Sequence, residues 1–200
     1  MKYLHVIPPS KRMIETFMKN MVEHFDENEH YYYFINKCPE SDLSLFDFPN
    51  VIEMTGETRI KRAKHLLHHL FKAEHIVWHG LTYGVKHLLL LYFFRPLLSK
   101  SVWVMWGIDL YNWKTEDNSI IGRLKNHINK VCREKMGSVV ALLETDVEYF
   151  QKSFKKSKAK CYTIPYAISL ESFEEMDRLK KWKPRKNGKI FIQVAHNTHP

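Results

Sequence analysis

Residues 101–111, SVWVMWGIDLY, leave few folds open to this chain. β-Branched Val102 and Val104 stand among Trp103, Met105 and Trp106, the composition of a buried strand, and Gly107 breaks the run just ahead of Asp109. The same grammar occurs earlier in HIVWHGLTYG, where a strand ends at His79 and Gly80. An apolar helical run then follows over 85–98, interrupted by His87, Arg95 and Pro96. Strands that each give way to a helix define an α/β chain built on a parallel sheet. The expected fold class is therefore α/β, a Rossmann-like parallel sheet with flanking helices.

The other segments keep that alternation. Residues 2–7 read as a first strand, and Ile14, Phe17, Met18, Met21, Val22 and Phe25 recur at helical spacing within 10–25. Residues 30–36 and 51–54 read as strands on either side of a connection broken by Asp and Pro. Residues 58–73 set Ile60, Ala63, Leu66, Leu67 and Leu70 on one helix face and Arg59, Lys61, Arg62, Lys64 and His68 on another. A second basic amphipathic helix is expected over 120–136, with Gly137 as its C-terminal cap. A strand over 138–143, a helix over 147–154 capped by Thr145 or Asp146, and an edge strand over 161–165 complete the pattern.

Beyond these, Lys180, Lys181, Lys183, Arg185, Lys186 and Lys189 crowd ten residues that also hold Pro184 and Gly188, the composition of an exposed linker. Residues 190–194, IFIQV, then begin a fresh strand, followed by a polar loop with Asn197 and Thr198. The expected division is a domain over 1–180, a basic linker over 181–189 and the start of a second domain over 190–200. The alternative is a last strand on the edge of the same sheet.

Charge narrows the partners. The 31 Lys and Arg against 22 Asp and Glu give a net charge of +9, which suits an anionic partner: phosphate, acidic lipid or nucleic acid. Nucleic acid is disfavoured because no recognisable binding motif or exposed aromatic ladder joins the basic residues. The apolar run over 85–98 falls short of the ~20 residues that a spanning helix needs. It reads as a buried helix or as one lying at a membrane interface. Residues 1–9 carry too short an apolar run for a secretory signal, so a cytoplasmic protein is expected. Cys38, Cys132 and Cys161 lack paired spacing, and no D-x-D motif occurs; neither a disulfide framework nor a metal is expected, and no cofactor.

Candidate site residues fall at the strand ends. In a parallel sheet, neighbouring strands ending Trp78-His79-Gly80 and Trp106-Gly107-Ile108-Asp109 put His79 and Asp109 on one rim, where α/β proteins bind ligands. Asp109 is open to two readings, a functional carboxylate or a helix N-cap with Trp103 and Trp106 only packing. Glu144 likewise is either a functional carboxylate or a first-turn acid that complements a helix dipole.

Several of these residues resemble a known family. Trp78-His79-Gly80, the element Trp106-Gly107-Ile108-Asp109-Leu110-Tyr111, Arg123-Leu124, Glu144-Thr145-Asp146 with Tyr149-Phe150, and Asn197-Thr198 fall in the order seen in glycosyltransferase family 56, the 4-acetamido-4,6-dideoxygalactose (Fuc4NAc) transferases of enterobacterial common antigen synthesis. The resemblance spans about residues 75–200. It implies the amino-terminal domain of a GT-B glycosyltransferase, a dTDP-linked amino sugar as donor and an undecaprenyl-pyrophosphate-linked saccharide as acceptor, at the cytoplasmic face of the bacterial inner membrane. Under it, Asp109 would be the base or position the acceptor and His79 would assist. Gly80, Trp106, Gly107, Tyr111, Glu144 and Thr145 would line the substrate site, and Asn197 and Thr198 would lie near the donor. The rival reading is a non-catalytic basic α/β module that binds anionic lipid.

Overall fold

In the computed structural model, which describes residues 1–8, 11–35, 47–54, 58–81 and 85–164, strands and helices alternate as the patterning requires. The first half holds β1 (Tyr3–Ile7), α1 (Lys11–His24), β2 (His30–Phe34), β3 (Val51–Ile52), α2 (Arg59–Lys72) and β4 (His75–His79). The second half holds α3 (Val85–Phe93), α4 (Pro96–Ser99), β5 (Ser101–Val104), α5 (Ile108–Tyr111), α6 (Ile120–Glu134), β6 (Ser138–Ala141), α7 (Glu144–Ser153) and β7 (Lys160–Thr163).

The seven strands form one sheet in the order β3-β2-β1-β4-β5-β6-β7, and every neighbouring pair is parallel. Chain order reverses between β1 and β4. At such a switch point the connections leave in opposite directions and a crevice opens beyond the carboxyl ends of the strands. The fold class is the Rossmann-like parallel sheet that the alternation predicts.

Period-two alternation in the strands sorts side chains into two cores. Leu4 and Val6 of β1 join Ile76, Trp78, Trp103 and Val139 in the larger one, which Leu66, Leu70, Leu88, Leu91, Ile128, Cys132, Phe150 and Phe154 cover from the helices. Ile7 faces the other way, into a smaller core with Met18 and Met21 of α1 and with Tyr32 and Phe34 of β2. Trp78 and Trp103 are adjacent in the β4–β5 register and both fully buried. Truncating either to Ala would cost about 3–5 kcal/mol.

Local chemistry sets the element ends. Thr58 accepts a hydrogen bond from Lys61 N at 3.2 Å and starts α2; Ser119 accepts from Gly122 N at 3.1 Å and starts α6. Pro96 divides the apolar run over 85–98 into α3 and α4, because it has no N–H to continue a helix. Two expectations are corrected. Helix α7 starts at Glu144 with Leu143 at the N-cap and no side-chain cap, so neither Thr145 nor Asp146 caps it. Gly137 is not the cap of α6, a position held by Lys135. It is a point of close approach, where an added Cβ would lie 2.1 Å from Ser99 O.

The basic linker over 181–189, the strand over 190–194, the domain boundary near 180 and Asn197 and Thr198 lie outside the described residues. So do Cys38 and the start of the connection before β3.

Candidate functional site

Two glycines shape the rim next to the switch point. Gly80, directly after β4, has φ of 81°, and Gly107, after β5, has φ of 79° and ψ of −64°. Both lie where L side chains are strained. At Gly107 the chain folds into a γ-turn of the rarer hand, with Ile108 N donating to Trp106 O at 3.0 Å. This reversal sends Asp109 back beneath the strand end instead of out toward solvent.

Asp109 is 3% exposed and its carboxylate is heavily bonded. Oδ2 accepts from Leu81 N at 2.8 Å and from the Trp103 indole at 2.6 Å, while Oδ1 accepts from Trp106 N at 2.8 Å. Below it, the Arg133 guanidinium donates to Asp109 O at 3.2 Å and lies 5.0 Å from the centroid of the Trp103 ring. Burial lowers the Arg133 pKa to about 10 and the Asp109 charge opposes that shift, so the guanidinium stays charged at neutral pH. Asp109 is thus neither the N-cap of α5, which is Gly107, nor a carboxylate open to solvent. It ties the loop after β4 to the loop after β5. Trp103 does more than pack, since its N–H is one of the three ties.

His79 occupies the same rim but turns to the other face of the sheet. Its ring lies 4.6 Å from Phe17 of α1, and its Nε2 is 3.1 Å from His5 Nδ1. His5 Nε2 is in turn 2.9 Å from His30 Nδ1, so three histidines form a hydrogen-bonded diagonal across β2, β1 and β4. His79 is 6% exposed, and burial depresses its pKa to about 3. Burial first, and then the neighbouring imidazoles, push His5 well below its usual value. Both rings are neutral at physiological pH. His79 and Asp109 therefore share a rim without converging: the Gly80 backbone separates a face lined by imidazoles from a face lined by indoles.

Further along the rim, the Tyr111 hydroxyl donates to buried Asp146 Oδ1 and its ring lies 4.7 Å from that of Tyr149 at a tilt of 57°, joining α5 to α7. That bond raises the Tyr111 pKa. Glu144 and Thr145 lie exposed in the first turn of α7, beyond the end of β6. Trp106 is half-buried against the smaller core. Sequence reasoning missed His5, His30, Arg133 and Asp146 as parts of the site's support. The available signal for the two histidines was a polar residue within β1 and another at the start of β2. Among the described residues no cluster of three or more His, Cys, Asp or Glu could hold a metal ion, and no helix is long and apolar enough to cross a membrane.

The strand order, the switch-point crevice and the glycine-shaped rim define a Rossmann-like α/β protein. Among solved structures, Anabaena Alr3699/HepE in complex with UDP and glucose superposes with a TM-score of 0.52 at 9% identity, over 90% of this chain and 50% of that one. UDP-N-acetylglucosamine 2-epimerase from Rickettsia bellii superposes with a TM-score of 0.47 at 12% identity, over 90% and 48%. The chain thus spans about half the length of each, and at 9% identity the likeness to HepE is one of fold. No protein-family model matches the sequence, and no curated protein does.

Proposed function

We propose that this chain is the amino-terminal, acceptor-side domain of a GT-B glycosyltransferase, which transfers an amino-deoxy sugar of the Fuc4NAc type from a dTDP-sugar to an undecaprenyl-pyrophosphate-linked saccharide. The work would be done at the cytoplasmic face of the bacterial inner membrane. The observation that carries the reading is the rim itself: two left-handed glycines at adjacent strand ends, beside the switch point, let backbone approach a bulky polar ligand. The UDP and glucose seen with HepE, a protein of the same fold, favour a nucleotide-sugar user.

In this reading Asp109 is a positioning residue. Its three N–H partners hold the Gly80 and Gly107 loops at a fixed separation, and the acceptor lies against them. His79 stays uncharged and assists as a neutral imidazole held by His5 on the face of the rim behind Gly80. Tyr111, Glu144 and Thr145 continue the site toward β6.

The test is binding of undecaprenyl-pyrophosphate-linked saccharide by this chain, and transfer to it from a labelled dTDP-amino-deoxy sugar by the full-length enzyme, with chelator present and absent. Product formation, unaffected by chelator, is expected. Absence of both product and saccharide binding would overturn the proposal.

A further inference from the structure

At the opposite edge of the sheet, where the strands begin, a convex apolar ridge stands beside a basic cavity. The ridge is built by contacts between helix ends. The Phe71 ring of α2 meets the Phe94 ring edge-on at 5.5 Å, Phe93 meets Tyr92 at 5.9 Å, and the Arg95 guanidinium lies over the Tyr92 ring at 5.2 Å. Phe93 is 71% exposed, Phe71 54% and Phe94 36%. Three phenylalanines left that open in one corner form an apolar surface that a soluble fold ordinarily covers.

Arg95 belongs to both features. It also lines a cavity of about 750 Å³ with Lys135, Lys156 and Lys158, bounded by Ser99 and by one acid, Glu134. Four cations against one carboxylate make the concavity strongly positive. Glu134 itself has Lys130 Nζ at 4.0 Å, which offsets its charge.

We infer that this edge docks on an anionic phospholipid bilayer, with Phe71, Phe93 and Phe94 entering the interface and the cavity of Arg95, Lys135, Lys156 and Lys158 receiving lipid headgroup phosphates. A bilayer surface carries its phosphates just outside its acyl chains, and a basic pit beside an aromatic ridge matches those two layers. An acidic protein surface would match the first and not the second. This face lies at the strand starts, away from the rim, so the inference goes beyond the proposed function and does not depend on sugar transfer.

Flotation with vesicles of phosphatidylglycerol in phosphatidylcholine tests it, against vesicles of phosphatidylcholine alone and in the presence of millimolar inorganic phosphate. Binding to the anionic vesicles is expected, and it should survive free phosphate. The double variant K156E/K158E should weaken it at least about tenfold, at roughly 1 kcal/mol per basic residue near the surface. Phe71→Ser with Phe93→Ser should weaken it by at least about tenfold as well, since each loses the insertion of a large apolar side chain. Arg123→Glu, a charge reversal on α6 outside the cavity, should change it by less than about threefold.

Equal loss in R123E and in the cavity variant would mean diffuse charge and overturn the inference. So would unaltered binding in either double variant, equal binding to neutral vesicles, or release by inorganic phosphate, which would make the cavity a free-phosphate site. Vesicle binding with neither sugar transfer nor saccharide binding would sink the proposed enzyme and leave this surface standing; transfer without vesicle binding would do the reverse.

Discussion

The Trp103 indole nitrogen lies 2.6 Å from Asp109 Oδ2, and that short bond joins the interior of β5 to the turn that follows it. The same oxygen accepts Leu81 N from the neighbouring strand's loop. One carboxylate therefore fixes where two strand ends sit relative to each other. A buried group with three donors contributes to stability whatever else it does, and this separates a positioning role from a purely chemical one.

Asp109→Asn keeps the shape but points an NH2 group at one or more of those donors, and removes the charge beside Arg133. It should destabilise the protein by about 2–4 kcal/mol, the cost of an unsatisfied buried donor near a charge. Urea unfolding, with the environment of Trp103 followed by fluorescence, measures it. Unchanged stability would return Asp109 to the role of a free base.

Trp103→Phe is the complementary change. It keeps an aromatic ring against Phe150 and Phe154 while deleting one donor to Asp109. A loss of about 1–3 kcal/mol is expected. In a double-mutant cycle the two substitutions should be clearly non-additive, because they remove the same bond.

Gly107→Ala and Gly137→Ala should fail for different reasons. At Gly107 an added Cβ has ordinary room, with its nearest neighbour 3.8 Å away on the Tyr111 ring, so the cost is backbone strain of about 1–3 kcal/mol. At Gly137 the Cβ would meet Ser99 O at 2.1 Å and the backbone must move. Thermal melts should rank G137A well below G107A. Sugar or acceptor binding should rank them the other way relative to their stabilities, since only Gly107 shapes the rim.

Acid should unfold the protein early. His79 and His5 have folded-state pKa values far below the ordinary 6.5, so above about pH 6.5 they are neutral in both states and their burial carries no protonation penalty. Below it the unfolded chain binds protons that the folded chain refuses, and stability falls by about 1.4 kcal/mol per pH unit for each histidine. For His79 the slope continues down to about pH 3. Denaturant titrations at pH 7.5, 6 and 5 should show this steep loss, and His79→Asn should flatten it. A flat profile in the unmodified protein would contradict the burial of the histidine diagonal.

Much of the fold was legible because its signals are local. Apolar strands bounded by Gly and Pro, and the periodic apolar faces over 58–73 and 120–136, locate those elements within a residue or two. Asp109 was not legible. Both sequence readings assumed that it faced outward or capped a helix, and what turns it inward is the backbone angle at Gly107, while one of its partners, Leu81, lies 28 residues away. The convergence of His79 with Asp109 failed for a related reason. Sharing a strand end says nothing of which face each side chain takes, and that depends on the register of β4 against β5 and on the turn after it. The His30–His5–His79 diagonal requires knowing that β1 lies between β2 and β4, an order that no local window contains.

That strand order has a consequence for how the chain folds. Strands β1 to β3 come from the first 52 residues and β4 to β7 from residues 75–163, and the two blocks meet along one pairing, β1 with β4. Each block can assemble from its own sequence neighbours, whereas the joining pair must close a loop of about seventy residues, the slow and entropically costly step in parallel sheets. The candidate rim borders that seam: the His5–His79 bond crosses it, while the Asp109 ties stay within the second block. A partially opened state would part there first, with the two blocks still individually paired, so the β1–β4 pairing is the place where hydrogen exchange should detect opening short of global unfolding.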